Sequence, residues 1–292
     1  MPGHIQSIER AAAILRLLSG PSLRLGVGEL ACELSLPKGT VFGILRTLRD
    51  VGFVEQDEDS CKYQLGPALL HMGSSYLDGN ELRTRALNWA DGLATRSGES
   101  VRIGTLHENQ VLIVHHVFRP DDARQALEVG SLLPAHATAI GKALLAHHAY
   151  IGAALSNGAL RSYTTATATN PSAFQLELEE TARRGWAADV GELLTGVASI
   201  AAPIEDRRRV TVGAIGISGP VERLCGNGAP RAELVDHVME AARAVSRELG
   251  ALPWSFASAD HSSRRPNTCI DLRGREHNRA IRGLDRPGDG IV

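Results

Sequence analysis

The chain has 292 residues, a length that suits about two domains at roughly 150 residues per domain. Hydrophobic residues make up 43% and charged residues 22%, as in globular proteins with a packed core, and the formal net charge of -2 announces no polyanion partner. No apolar run approaches the roughly 20 residues that cross a bilayer, the first residues lack a signal-peptide pattern, and the four cysteines form no CxxC pair. We therefore expect a cytoplasmic protein without a membrane span, a disulfide framework or a zinc module.

Hydrophobic spacing in the first 66 residues predicts three helices followed by a β-hairpin. Apolar residues three and four apart follow Ser7, a residue type that favours helix N-caps. Pro37 suits the first turn of the third helix, and Gly52 ends that helix. The predicted helices span 8–18, 28–34 and 37–50, and the predicted strands span 53–56 and 62–65. Two helices joined by a tight turn and followed by a hairpin indicate a winged helix-turn-helix, which is a DNA-binding unit.

The third predicted helix has a candidate DNA-reading face. Its apolar residues turn towards the core, which leaves an outward stripe of small, aromatic and basic residues. Arg46 is placed to reach a guanine edge with its planar guanidinium, and the first turn offers hydroxyl and backbone groups to phosphates. The candidate DNA-binding residues are Lys38, Gly39, Thr40, Phe42, Gly43, Arg46, Arg49 and, on the hairpin, Lys62.

The charge of this segment weighs against DNA binding by a single copy. Residues 1–70 hold seven basic and eight acidic residues, whereas affinity for DNA depends largely on neutralising phosphates. Two copies side by side double the basic face, so the DNA-binding interpretation requires an oligomer. The alternative interpretation is a small amphipathic unit with solvated arginines.

The pattern after residue 66 predicts a linker helix at 67–84 and a mixed α/β domain at 85–252 built on an antiparallel sheet. The predicted strands lie at 101–105, 111–117, 197–204 and 210–217, and the predicted helices at 139–147, 173–184 and 230–249. Thr138 is the predicted N-cap of the first of these helices. Residues 253–292 are rich in Arg, Ser, Gly, Pro and Asp without periodicity and are predicted to form a disordered tail. The fold class is therefore α+β.

Motifs for catalysis or metal binding are weak. The run Gly216-Ile217-Ser218-Gly219 has its second glycine one place too early for a GxSxG nucleophile elbow. The doublets at 115–116 and 147–148 are adjacent histidines, which diverge on a strand or a helix and form no ready chelate. We expect the protein not to be an enzyme and to bind no cofactor. No local motif predicts a metal site, and a site formed by residues that are distant in the sequence is the alternative that these patterns do not test.

Several motifs in order along the chain resemble the IclR family of bacterial transcription regulators. They are IQSIERAAAILRLL (5–18), ELACELSLPKGTVFGILRTL (29–48), GFVEQD (52–57), YQLG (63–66), LPAHATAIGKALLA (133–146), GVASIAAPI (196–204) and GISGP (216–220). The resemblance implies a winged-helix domain, a linker helix that helps it dimerise and a GAF-like effector domain. It also implies binding to palindromic double-stranded operator DNA as a homodimer or homotetramer, modulated by a small metabolite. Where the family often has Ser, His and Arg in the recognition helix, this chain has Gly39, Phe42 and Gly43, so base readout is expected to rely on Arg46, backbone approach and DNA shape.

The resemblance also implies an effector site where the Thr138 helix meets the Asp189 segment and the last hairpin. Backbone N–H groups at the helix N-terminus suit a carboxylate or phosphate, and the other polar groups suit hydroxyls. Gly216 stands where relatives that bind small oxo-acids have serine, which is expected to make room for a larger ligand. The candidate effector-binding residues are Thr138, Ala139, Ile140, Gly141, Asp189, Ser199, Gly216 and Ser218.

The motifs FGILRTL, SYLDGNELRTRAL and VLIVHHVFRPDD are most similar to regulators of glycerol operons in actinomycetes. This finer resemblance implies a repressor of glycerol catabolism with glycerol 3-phosphate as its effector. One alternative is an activator of the same family that responds to a small carboxylate or an aromatic acid. Another is a metabolite-binding protein or enzyme that uses the C-terminal pocket alone.

Overall fold

The computed structural model of the chain describes residues 4–20, 22–119, 125–148, 152 and 159–250. The predicted tail at 253–292 lies outside the described residues. Within them the chain is α+β, with a helical N-terminal domain that ends in a hairpin and a C-terminal domain on a six-stranded sheet. Both the fold class and the antiparallel sheet are as predicted.

The N-terminal domain contains the three predicted helices and the predicted hairpin. Its elements are α1 (Gln6–Leu18), α2 (Val27–Glu33), α3 (Lys38–Asp50), β1 (Val54–Gln56) and β2 (Tyr63–Leu65). Fully buried side chains from all three helices, Ile14, Leu30 and Leu45 among them, form one core with Tyr63 of β2. A backbone hydrogen bond from Leu25 N–H to the Tyr63 carbonyl ties the hairpin to the start of α2. The hairpin is therefore fixed beside α3 as a wing.

The predicted N-cap at Ser7 is wrong. Helix α1 begins two residues earlier than predicted, at Gln6, with Ile5 as N-cap and no side-chain cap. The Ile5 carbonyl accepts hydrogen bonds from the N–H groups of Ile8 and Glu9. Ser7 consequently lies inside the first turn, where its hydroxyl has no capping role.

Two helices rather than one follow the wing. Helix α4 (Pro67–Asp78) ends at Gly79, and helix α5 (Glu81–Ser97) begins after Asn80, whose side chain accepts a hydrogen bond from the Arg83 N–H. The predicted linker at 67–84 therefore spans this break. None of the α4 residues is buried, whereas α5 buries one apolar side against the sheet.

The C-terminal sheet is antiparallel with strand order β5-β4-β3-β8-β7-β6. The strands are β3 (Ser100–His107), β4 (Gln110–Val117), β5 (Leu132–Pro134), β6 (Ala187–Val190), β7 (Val197–Glu205) and β8 (Thr211–Pro220). The remaining elements are α6 (Ala139–Leu145), α7 (Pro171–Arg184), α8 (Val221–Leu224), a two-residue pair β9 (Cys225–Gly226) and β10 (Ala229–Pro230), and α9 (Ala232–Glu248). The last helix was predicted to start at Pro230, and it begins two residues later, at Ala232.

Helices cover both faces of this sheet. Ile103, Ile200 and Ile217 belong to one core with α5 and α9, and Ala201 and Ala214 belong to another with α6 and α7. Because side chains alternate along a strand, residues two positions from these alanines, such as Ser199 and Gly216, share the α6 face. The register pairs Asp189 with Ser199, Ser199 with Ser218, and Gly216 with Arg102 across four neighbouring strands. A polar row therefore crosses the sheet beside the start of α6.

Candidate DNA-binding surface and effector pocket

Helix α3 presents its predicted polar side to solvent. Val41, Leu45 and Leu48 are buried. On the other side Lys38, Gly39, Phe42, Arg46 and Arg49 are exposed, and Thr40 and Gly43 are half-buried. The inward and outward sides are those that the hydrophobic spacing predicted.

The two glycines of α3 lie in an open part of this surface. A Cβ atom added at Gly39 or at Gly43 would have no atom within 4 Å outside the helix backbone and the flanking residues. Packing of the described residues therefore does not require glycine at either position. Glycine there leaves the α3 backbone accessible, although each glycine costs about 1 kcal/mol of helix stability relative to alanine.

The wing lysine has an acidic partner. Lys62 Nζ lies 3.1 Å from Glu29 Oε1, and both side chains are exposed. The Gly26 N–H also donates to Glu29 Oε2, at 2.6 Å, and this bond together with Lys62 keeps the pKa of Glu29 below its usual value. A DNA phosphate that contacts Lys62 has to compete with this carboxylate.

A cavity of about 110 Å³ lies between the polar row of the sheet and the start of α6. Seven of the eight candidate effector-binding residues line it. Gly141 is not among them, because it packs against the turn before α6, where an added Cβ would lie 2.0 Å from the Ala135 carbonyl oxygen. The lining residues are Arg102, Glu128, Leu133, Thr138, Ala139, Ile140, Asp189, Leu193, Leu194, Val197, Ser199, Gly216, Ile217 and Ser218.

Asp189 is the buried acid of the cavity. Its side chain is 3% exposed, and its Oδ2 atom accepts a hydrogen bond of 3.1 Å from the Ala139 N–H. Burial raises the pKa of Asp189 to about 6, although hydrogen bonds from Ser199 and Ala139 act in the opposite direction. Ser199 Oγ also lies within hydrogen-bond distance of Ser218 Oγ, at 3.2 Å. The hydroxyls and the carboxyl group thus form one hydrogen-bonded chain.

These hydrogen bonds change the expected role of the α6 N-terminus. Asp189 takes the Ala139 N–H, and the Thr138 hydroxyl takes the Gly141 N–H at 3.2 Å. The expectation of free N–H groups for a ligand anion is therefore wrong for these two amides. The predicted cap at Thr138 is confirmed, and the same cap uses one of the donors.

The space beside Gly216 is also smaller than expected. A Cβ atom at this position would lie 2.6 Å from the Ile200 carbonyl oxygen and 2.8 Å from the Ala201 Cβ. Glycine is needed here for the close approach of β7 and β8, so its lack of a side chain adds no room to the cavity.

Sequence reasoning missed Arg102. Its guanidinium donates from Nη2 to Glu128 Oε1 at 2.8 Å, and its Nε lies 2.5 Å from Glu128 Oε2. Both side chains are largely buried, and Arg102 provides the one cationic side chain among the described residues that line the cavity. The available signal was the alternation of β3, since an arginine between Val101 and Ile103 faces away from their core.

Among the described residues, no group of three or more His, Cys, Asp or Glu side chains is arranged to hold a metal ion. None of the described helices is long and apolar enough to cross a membrane.

Replacing Asp189 by asparagine is expected to change how stability depends on pH. The folded protein keeps the Asp189 proton up to about pH 6, whereas an unfolded chain releases it near pH 4. The folded state therefore binds more protons in this window, and the free energy of unfolding falls as pH rises through it. Relative to D189N, the wild type should lose about 2 kcal/mol between pH 4 and pH 6. Urea unfolding of both proteins across this range measures the difference, and parallel curves would contradict the raised pKa.

A winged helix-turn-helix joined to a second domain with a small cavity is the architecture of a DNA-binding regulator with an effector domain. Residues 7–58 match the IclR helix-turn-helix domain, and residues 74–247 match the bacterial transcriptional regulator IclR C-terminal domain. The chain belongs to the IclR family of bacterial transcriptional regulators.

Individual relatives agree with this assignment. The chain is 56% identical over 251 residues to the glycerol operon regulatory protein of Streptomyces coelicolor and 55% identical to that of Streptomyces griseus. Each match covers 86% of this chain and 99% of the relative. The crystal structure of an IclR homolog from Microbacterium hydrocarbonoxydans, complexed with 4-hydroxybenzoate, shares the fold with a TM-score of 0.72 and 23% identity, over 84% of this chain and 99% of that one. These relatives are regulators rather than enzymes.

Proposed function

We propose that the chain is a repressor that binds operator DNA through α3 and releases it when glycerol 3-phosphate occupies the cavity. In this proposal residues 1–66 bind DNA, residues 67–84 link the domains and residues 85–252 bind the effector. The observation that carries it is the buried polar row beside α6, in a chain 56% identical to a glycerol operon regulatory protein. Such a row provides hydrogen-bond partners for the hydroxyls of a small polyol.

The exposed apolar residues of α1 and α4 support assembly as a dimer. Ile8 is 63% exposed, Leu70 is 75% exposed, and Met72 and Tyr76 are each 56% exposed. None of the α4 residues is buried in the single chain, and exposed apolar side chains of this kind are typical of protein interfaces. A second copy that binds there brings two α3 helices together. The doubled basic surface compensates for the low positive charge of a single N-terminal domain. A pair of such dimers gives the tetramer.

The size of the cavity suits a small metabolite. A cavity of about 150 Å³ accommodates benzene, which has six heavy atoms, and the cavity here is about 110 Å³. The glycerol part of glycerol 3-phosphate has six heavy atoms as well. Asp189, Ser199 and Ser218 are the proposed partners for its hydroxyls.

Contacts between the sheet and α5 offer a route from the cavity to the DNA-binding domain. Strand β8 lines the cavity with Gly216 and Ser218, and Leu82 of α5 packs into the space left by Gly213 of the same strand. Helix α5 follows α4 after two residues. We infer that an effector favours one placement of α5 against β8 and thereby one spacing of the two α3 helices.

Fluorescence anisotropy with the promoter DNA of the protein's own operon tests this function. We expect specific binding that millimolar glycerol 3-phosphate weakens. If no specific binding is seen, the protein does not regulate that promoter. If binding does not change when the ligand is added, glycerol 3-phosphate is not the effector.

A second candidate is an activator that responds to an aromatic or other small carboxylic acid. The apolar residues that line the cavity, Leu133, Leu193 and Leu194 among them, favour it, and the Microbacterium homolog was crystallised with 4-hydroxybenzoate. Transcription in vitro from the same promoter distinguishes the two, because a repressor lowers transcript yield without its effector and an activator raises it.

A further inference from the structure

Arg102 and Glu128 form a two-point ion pair inside the cavity wall. The Arg102 fork meets both oxygens of the Glu128 carboxylate, and the side chains are 20% and 29% exposed. The contact between Nη2 and Oε1 is a charge-assisted hydrogen bond, whereas Nε and Oε2 lie close together but have no hydrogen-bond partner among the described residues. The carboxylate of Glu128 is thus bound in the way that a ligand anion binds to arginine.

Glu128 reaches Arg102 from a segment that lies along the edge of β4. Its N–H donates to His116 Nδ1 at 3.3 Å, and its carbonyl accepts from the Ser131 N–H at 2.9 Å. His116 is the β4 residue directly opposite Arg102 in the register. The backbone of Glu128 is therefore held by contacts that do not involve its carboxylate, so the carboxylate can leave Arg102 without detaching the segment.

The opposite wall of the cavity is unsuited to an anion. Asp189 already takes the Ala139 N–H at the start of α6, and its carboxyl group repels a second anion whenever it is ionised. On the Arg102 side, the neighbouring β8 residue in register is Gly216, so no acidic side chain of β8 lies beside the guanidinium. Among the described residues that line the cavity, positive charge is therefore found at Arg102.

We propose that Arg102 is the anion-recognition residue of the effector pocket and that Glu128 is a built-in competitor, which the phosphate or carboxylate of an effector displaces. The inference rests on the proposed function of the cavity as an effector site. It adds that the anionic group of the effector binds Arg102 and that the Glu128 carboxylate weakens this binding. A phosphate dianion attracts the guanidinium more strongly than a single carboxylate does, so phosphate esters are preferred over carboxylates of the same length.

Calorimetric titration of the full chain without DNA measures this directly. The probes are glycerol 3-phosphate, glycerate and glycerol, which share a three-carbon skeleton and differ in charge. We expect the phosphate ester to bind most tightly, glycerate next and glycerol most weakly. Equal binding of the three probes, or no binding of either anion, overturns the proposal.

Two substitutions have opposite expected effects. R102Q should weaken glycerol 3-phosphate binding by about 10- to 100-fold, the range for a lost hydrogen bond to a charged group, while glycerol binding stays unchanged. E128Q should tighten it by about 2- to 5-fold, since a competing anion is removed. R102K keeps the charge without the fork, so its affinity should lie between wild type and R102Q. Unchanged affinity in R102Q, or weaker binding in E128Q, contradicts the roles assigned here.

The matched control is another arginine–glutamate pair on the far side of the sheet. Arg96 Nη2 of α5 lies 2.7 Å from Glu240 Oε2 of α9. R96Q and E240Q should leave the affinity for all three probes unchanged, and equal losses in R96Q and R102Q would show a general effect of charge. If wild type binds the anions through Arg102 but keeps its DNA in their presence, the proposed function fails and the anion site stands.

Discussion

Replacing Lys142 by methionine is expected to lower the free energy of unfolding by about 3–5 kcal/mol, the usual cost of breaking a buried ion pair from one side. The Lys142 side chain is 0% exposed, and its Nζ lies 2.7 Å from Glu177 Oε1 and 2.5 Å from Glu192 Oε1. Its third contact is the Ala188 carbonyl oxygen at 3.3 Å. Methionine fills a similar volume but leaves two carboxylates without a cation. Urea unfolding at pH 7 measures the loss.

The triple variant K142M/E177Q/E192Q separates charge from packing. It removes the stranded carboxylates, so it should recover most of the stability that K142M loses. The loss in K142M should also shrink at lower pH, because burial already raises the pKa of Glu192 and protonation removes its charge. A loss that is the same at pH 5 and pH 8, with no recovery in the triple variant, would assign the effect to packing instead. K38M, at an exposed lysine of α3, is the control and should change stability by less than about 0.5 kcal/mol.

The Lys142 network also shapes the cavity. Glu192 is the second residue of the connection between β6 and β7, in which Leu193 and Leu194 line the pocket. Thr164 and Thr167 donate their hydroxyls to the backbone carbonyls at the start of this connection. Lys142 on α6 therefore fixes one wall of the pocket from behind, and we expect K142M to weaken effector binding as well as folding.

Local patterns in the sequence predicted the N-terminal domain well. The helical spacing of the apolar residues in α3 places Val41 and Leu45 on the side that faces the core. It places Arg46 on the side that faces solvent. The ends of the helices were predicted less accurately. Ile5 caps α1 with its backbone alone, and no residue type signals such a cap.

The effector pocket was predicted through resemblance, and its chemistry was not. Asp189, Ser199 and Arg102 come from three strands, so their proximity depends on sheet register, which a single sequence does not reveal. Lys142 has the same difficulty, since its partners are 35 and 50 residues away. The missing side chain of Gly216 was expected to make room for a larger ligand. That expectation was wrong, because the close approach of β7 cannot be predicted from the sequence of β8.

Replacing Arg46 by alanine is expected to produce the largest loss of operator affinity among single changes in α3. Arg46 is exposed on the outward side of that helix, between the open surface at Gly43 and the basic Arg49. A bidentate contact between arginine and guanine contributes about 1–3 kcal/mol of discrimination. A dimer uses the residue twice, so specific affinity should fall by roughly 2–6 kcal/mol, or about 30-fold to more than 10,000-fold.

The comparison that decides the role of Arg46 is specific against nonspecific DNA. A base contact lowers affinity for the operator far more than for a scrambled duplex, whereas a phosphate contact lowers both and makes binding less dependent on salt. R16A removes an exposed arginine of α1 that lies outside the α3 stripe, and it should have little effect on either duplex. Equal losses on operator and scrambled DNA in R46A would make Arg46 a phosphate contact. Sequence readout would then depend on the accessible backbone at Gly39 and Gly43 and on DNA shape.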